Sequence, residues 1–129
     1  MCVVGIGVDV VSVSDFQERM KRNPMFLRHV FSAAEKAWCE AYVDPGERYS
    51  ARFAAKEAFY KALPQIVQNQ IGWKDVEVLP GANGRPKILT SEKCSALLKQ
   101  LGVEKVLLSL SHERDIAISF IVLCGRSLD

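Results

Sequence analysis

The stretch Arg52-Phe53-Ala54-Ala55-Lys56-Glu57-Ala58-Phe59-Tyr60-Lys61-Ala62-Leu63 sets one carboxylate among three cations on a run of alanines. At about 100° per residue, Ala51, Ala54, Ala55, Ala58 and Ala62 share one helix face. Glu57 and Lys61 stand one above the other along one border of it, and Arg52 and Lys56 form a second pair nearer the other. Small side chains let a ligand or another backbone approach closely. Asp9 is a further candidate, because a carboxylate in an apolar run is seldom kept without a cation, a metal or several donors. Magnesium is commonly held by one or two carboxylates together with phosphate oxygens and water. Asp9 and Glu57 with nearby cations would therefore suit a phosphate-bearing substrate. Each residue also has a plainer reading: Asp9 as a strand-end structural carboxylate, and Glu57–Lys61 as an ordinary helix-surface pair worth a few tenths of a kcal/mol.

Other reactive side chains add less. His112, in Ser109-Leu110-Ser111-His112-Glu113, falls where a strand gives way to a turn, a position that suits a ligand contact or a purely structural imidazole. His29 reads as surface. No G-x-S-x-G elbow is present and Ser111 is too close to His112 for a triad, so direct transfer to an incoming hydroxyl fits better than a covalent enzyme intermediate. Arg19, Lys21, Arg22 and Arg28, interleaved with Met20, Met25, Phe26 and Leu27, form either a solvated helix face or a docking surface for an acidic partner.

These residues need elements to hold them. Val3 to Val13 reads as a strand in which Val4, Ile6, Val8 and Val10 share one face and Gly5, Gly7, Asp9, Val11 and Val13 the other. The pair Gly5 and Gly7 lacks the third glycine of a dinucleotide fingerprint and sits within the strand, so that motif is rejected. A helix capped by Ser14 or Asp15 runs to about Arg22, and Phe26 to Phe31 is a short apolar-basic segment. Ser32-Ala33-Ala34-Glu35 is a capping box for a helix to about Tyr42. The central helix spans about Glu47 to Leu63, with Pro64 as its stop. Trp73 to Leu79 and Pro86 to Leu89 read as strands, Glu92 to Leu101 as a helix ended by Gly102, and Lys105 to Ser111 and Ile116 to Leu123 as two closing strands. The last is apolar on both parities and predicts burial on both faces, by a helix and by a neighbouring subunit. The order of elements predicts an α+β fold with a small, mainly antiparallel sheet around a long central helix.

The composition narrows the function classes. The 129 residues predict a single domain over 1–129 with room for a core. Seventeen Lys+Arg against 15 Asp+Glu give a formal +2, far from the footprint of a dedicated nucleic-acid binder. Cys2, Cys39, Cys94 and Cys124 form no C-x-x-C pair and follow no signal peptide, which predicts reduced thiols in a cytoplasmic protein without zinc. Ile116 to Cys124 is too short to cross a bilayer as a helix.

Three stretches, taken together and in order, carry a family resemblance: Gly5-Ile-Gly-Val-Asp9-Val-Val, Arg52-Phe-Ala-Ala-Lys-Glu57-Ala-Phe-Tyr-Lys61-Ala, and Ser109-Leu-Ser-His112. With Trp73-Lys-Asp-Val-Glu-Val and Gly84-Arg-Pro86, the sequence resembles the holo-acyl-carrier-protein synthase family of phosphopantetheinyl transferases over nearly its whole length. The resemblance implies a homotrimer that binds coenzyme A between subunits, with Asp9 and Glu57 ligating Mg²⁺. An apo acyl carrier protein would supply the attacking serine, in the service of fatty-acid or polyketide synthesis. Glu57 or a metal-held water would act as base and Lys61 would stabilise the transferring group. Arg52 and His112 would sit near the nucleotide phosphates, and Gly84 and Pro86 would shape the adenine pocket. The sequence departs from the family at Asp15, where Arg is common, so carrier contact falls to Arg19, Arg22 or Arg28. It departs again at Pro64, where Gly is usual.

Overall fold

The computed structural model describes residues 1–126. Its elements run β1 (Cys2–Ser12), α1 (Val13–Arg22), α2 (Met25–Val30), α3 (Ala33–Glu40), α4 (Pro45–Lys61), α5 (Gln65–Gln68), a 3-10 turn (Trp73–Asp75), β2 (Val76–Pro80), β3 (Pro86–Thr90), α6 (Glu92–Gln100), β4 (Val103–Glu113) and β5 (Ile116–Gly125). β1, β5 and β4 form an antiparallel sheet in that order, and β2 and β3 a separate antiparallel hairpin. The α+β expectation holds, and several boundaries move. Ser12, not Ser14 or Asp15, caps α1 by accepting from the Asp15 amide, so Val13 is the first helical residue. Phe26 to Phe31 is largely a helix, α2. Trp73 to Asp75 winds as a 3-10 turn in place of strand. The capping box at Ser32 is present in both directions, with Glu35 completing it.

α4 lies across the three-stranded sheet, and the fit is set by small residues on both sides. A Cβ at Gly7 would stand 1.9 Å from the Ala58 carbonyl oxygen, and one at Gly5 2.3 Å from that of Ala62. Backbone therefore meets backbone where alanines face glycines. The close approach that the alanine face permits is made by strand β1, not by a ligand.

The opposite face of the sheet is open. Ile6, Val8 and Val10 of β1 are 60%, 50% and 58% exposed, and Ile118 and Phe120 of β5 are 40% and 43% exposed. Within the chain β5 is thus buried on one face, through Ala117, Ser119, Ile121 and Leu123, and its other face is the one that the sequence assigns to a neighbouring subunit. Five large apolar side chains exposed together on one sheet face mark a surface suited to a partner.

Under the other side of α4 lies a buried ion pair. Lys56 Nζ is 2.8 Å from Glu35 Oε1, with both side chains fully buried. The same ammonium donates to the carbonyls of Val30, Trp73 and Val76 at 2.9, 2.9 and 2.7 Å. Glu35 also accepts from the Ser32 and Val78 amides. One lysine so ties α2, α3, α4, the 3-10 turn and β2 together, and Lys56 is removed from the surface cations that the sequence placed beside Glu57. Lys56 Nζ lies 5.3 Å from the centre of the Phe31 ring, and in the same core cluster Phe16, Phe26 and Phe53 pack with ring centroids 5.3–5.6 Å apart.

At the far end of the sheet, the turn between β4 and β5 clasps α1. Arg114 takes φ 54°, and Asp115 accepts from the Ser14 amide at 2.9 Å and from the Ser12 and Ser14 hydroxyls at 2.8 and 2.6 Å. The Val13 amide donates to the Asp115 carbonyl at 2.8 Å. These donors hold the Asp115 carboxyl below its ordinary pKa.

Candidate active site

β1 carries Asp9 on its helix-facing side, and the last turns of α4 carry Glu57 and Lys61 along the border above it. Lys61 Nζ lies 2.7 Å from Asp9 Oδ1, with the Asp9 side chain only 13% exposed and that of Lys61 55%. The hydrogen bond to Asp9 raises the Lys61 pKa above its ordinary value. Glu57 is half-buried, and its carboxyl is pushed up, first by burial and then by the charge of Asp9, against the opposing pull of Lys61 and Arg19. The charge of one carboxylate thus acts on the other, with an ammonium resting on Asp9. A hard divalent cation would relieve that repulsion. Among the described residues no cluster of three or more His, Cys, Asp or Glu surrounds a point. The pair therefore fits a cation that completes its shell from phosphate oxygens and water, and does not fit a full protein cage.

Arg52, Gly84, Pro86 and His112 meet elsewhere, around one cavity of about 300 Å³. Arg52 is 5% exposed, its Cζ is 3.7 Å from the centre of the Trp38 ring, and its Nε has no hydrogen-bond partner among the described residues. Burial lowers its pKa from the ordinary arginine value. A buried guanidinium stacked on indole with a nitrogen unsatisfied is a ready receptor for an anion. Gly84 holds the turn after β2 with φ +82°, where a side chain would be strained. His112 is a strand residue, since the turn itself is Arg114-Asp115, and its Nε2 is 3.2 Å from Glu47 Oε1 at the start of α4.

The same wall contains residues that the sequence did not single out. Arg48 lies one turn before Arg52, with its Cζ 4.1 Å from the Tyr42 ring centre, and Trp38 and Tyr42 pack at 4.7 Å. The spacing of Trp38 and Tyr42 at i, i+4, and of Arg48 and Arg52 likewise, is the signal that could have found them.

Among the described residues, Asp9, Glu57 and Lys61 do not line the Arg52 cavity. Glu57 lines a different shallow depression, with Tyr60 and Trp73. The basic segment forms a third surface: Arg19 Cζ sits 4.0 Å over Phe26, and Arg19, Met25, Phe26 and Arg28 border an open cavity of about 590 Å³. Asp15 and Arg22 flank it on α1, both exposed, and His29 is exposed as expected. Cys2, Cys39, Cys94 and Cys124 are all free thiols, and burial pushes Cys39 up to about 12. No helix among the described residues is long and apolar enough to cross a membrane.

Relatives share both the sequence and this architecture. A holo-[acyl-carrier-protein] synthase of Geotalea daltonii is 34% identical over 122 residues, covering 94% of this chain and 98% of the relative. The crystal structure of the holo-[acyl-carrier-protein] synthase from Neisseria meningitidis superposes with a TM-score of 0.85 at 26% identity, covering 96% of this chain and all of that one. The Chronobacterium ammoniagenes ACPS-CoA complex superposes with a TM-score of 0.79 at 29% identity, covering 95% and 98%. Residues 5–120, which include the carboxylate pair, Lys61 and the whole wall of the Arg52 cavity, match the pattern of the 4'-phosphopantetheinyl transferase superfamily, and the chain belongs to it.

Proposed function

We propose that this protein transfers the 4'-phosphopantetheine group of coenzyme A to the serine hydroxyl of an apo acyl carrier protein, with Mg²⁺, releasing adenosine 3',5'-bisphosphate. The observation that carries the reading is the cluster of Asp9 on β1 with Glu57 and Lys61 on the central helix, in a chain of the phosphopantetheinyl transferase superfamily. The names of the relatives and the coenzyme A complex of a neighbour support the substrate pair.

The reaction is one displacement at phosphorus. The carrier serine oxygen forms a bond to the β-phosphate, the bond from that phosphorus to the bridging oxygen breaks, and the bisphosphate nucleotide leaves. Asp9 and Glu57 would hold Mg²⁺, which when bound neutralises phosphate charge. Glu57, or a water held by the metal, would take the serine proton. Lys61 is flexible and more than half exposed, so its ammonium can leave Asp9 for the oxygens of the transferring phosphoryl group. Arg52 and His112 receive the nucleotide phosphates, and Gly84 and Pro86 border the adenine.

We read residues 1–129 as one transferase domain that works as a homotrimer. The open apolar face of the sheet supplies the surface, and the placement of the phosphate and metal residues around different cavities of one chain favours a cleft completed by a neighbour. Arg19, Arg22 and Arg28 beside exposed Met25 suit an acidic carrier. Such a protein works in the cytoplasm, in fatty-acid biosynthesis or a related carrier-dependent synthesis.

The test is a mass measurement. Incubation with Mg²⁺, coenzyme A and an apo acyl carrier protein should raise the carrier mass by one phosphopantetheine, and Asp9→Ala should abolish the shift in a folded protein. No mass change with any carrier of the same organism would refute the assignment.

A further inference from the structure

Two buried side-chain polar atoms lack a hydrogen-bond partner among the described residues, Arg52 Nε and Ser119 Oγ. The first belongs to the cavity that we assign to the nucleotide. The second sits in the middle of β5, fully buried, between Ala117 and Ile121 on the same strand face. An alanine would fill that position and strand nothing. A serine there gives up its water partners and gains none, so it works against the fold. Native proteins keep such exceptions chiefly where function asks for them.

The partner across the sheet points to the function. The β1–β5 register places Ser119 directly opposite Asp9, two residues beyond the pair Gly7 and Ile121. Gly7 abuts Ala58 of α4, so the period of two turns Asp9 and Ser119 to the same helix-covered face. Side chains directly opposed on antiparallel strands have Cβ atoms about 4.5–5.5 Å apart, which a hydroxyl and a carboxylate can close by rotation. Lys61 engages Asp9 through Oδ1, which leaves Oδ2 as acceptor.

We propose that Ser119 is a positioning residue for Asp9: its hydroxyl donates to the Asp9 carboxylate when that group turns from Lys61 to hold a divalent cation. This rests on reading Asp9 and Glu57 as the metal pair. The hydroxyl fixes the carboxylate plane and so reduces the orientational freedom lost on binding, as outer hydrogen bonds do at other metal sites. The orphaned state of Ser119 is then the resting state, with Asp9 drawn aside by the lysine.

Binding and stability should move in opposite senses, which a purely structural serine would not produce. Mn²⁺ serves as the probe, with free ion counted by electron paramagnetic resonance in the presence of coenzyme A, and urea unfolding is run in parallel. Ser119→Ala should bind Mn²⁺ roughly tenfold more weakly, with a urea midpoint equal to or above that of the wild type. Mn²⁺ affinity equal to the wild type would overturn the proposal while leaving the metal pair standing. A lowered urea midpoint would also overturn it, since the hydroxyl would then have a partner in the core. A wild type that modifies the carrier yet binds no Mn²⁺ would remove the metal pair and Ser119 together.

Discussion

Replacing Lys56 by methionine tests whether the lysine of the central helix belongs to the core or to the reaction. Lys56→Met keeps much of the side-chain volume and removes the ammonium. It leaves the Glu35 carboxylate buried without its cation and the carbonyls of Val30, Trp73 and Val76 without their shared donor. Breaking one side of a buried pair costs about 3–5 kcal/mol. The stranded carbonyls belong to the same deletion and take the expected loss to the upper end of that range. A chain of this length has a stability of roughly 6–19 kcal/mol, so the variant should still fold. With a urea slope of about 2 kcal/mol/M, the midpoint should fall by about 2.5 M. Unfolding is followed by far-UV circular dichroism at one fixed protein concentration, because self-association would make the midpoint concentration-dependent. Glu35→Leu/Lys56→Met should recover part of the loss. The Ser32 and Val78 amides then lack their acceptor, so recovery stops short of wild type. A Lys56→Met protein with an unchanged midpoint and lost transferase activity would refute the reasoning, since the ammonium would then be acting on substrate.

Three further outcomes follow from the geometry. Gly7→Ala should lose about 3 kcal/mol in a thermal melt, because its Cβ would press on the Ala58 carbonyl and the Ala62 amide nitrogen, which are backbone and cannot swing aside. Glu57 should titrate above the usual carboxylate range in ¹³C NMR, and Asp9→Asn should bring it down by removing one cause of the shift. The sign is definite: with its folded pKa raised, Glu57 contributes stability at low pH that is lost as pH rises through that pKa, while metal binding, which needs the carboxylate, strengthens over the same interval. Arg52→Lys should raise KM for coenzyme A roughly tenfold with little change in kcat, because an ammonium neither stacks on Trp38 nor offers the planar fork.

The fold was largely legible where the periodicity was strong. The glycine and valine alternation of β1, the capping box at Ser32 and the alanine face of α4 each dictate one local answer. The boundary at Ser12 was not, because a strand ending in Val-Ser-Val-Ser offers two serines as caps and the choice is made by Asp115, a hundred residues away in sequence. Lys56 shows why spacing alone misassigns charge. On a helix it stands at i,i+4 from Arg52, a like charge that gives it no partner, and only the arrival of α3 and β2 supplies Glu35 and the carbonyls that bury it. The same holds for Trp38 and Tyr42, which nothing in the linear order ties to Arg48 and Arg52 until the guanidinium groups are seen lying over their rings. The residues of the resemblance motifs fall around two separate places in one chain, a division that linear order does not contain.

The clasp between Asp115 and the start of α1 has a dynamic consequence. The first amides of a short helix ordinarily fray and exchange with solvent within fractions of a second, because nothing holds them. Here the Val13 and Ser14 amides are tied to the tip of the β4–β5 hairpin. Their exchange requires either the helix start or the hairpin tip to lift away from the other. Slow hydrogen exchange at these two amides would therefore register the opening of a joint whose two arms carry Arg19 and Arg22 on one side and His112 on the other.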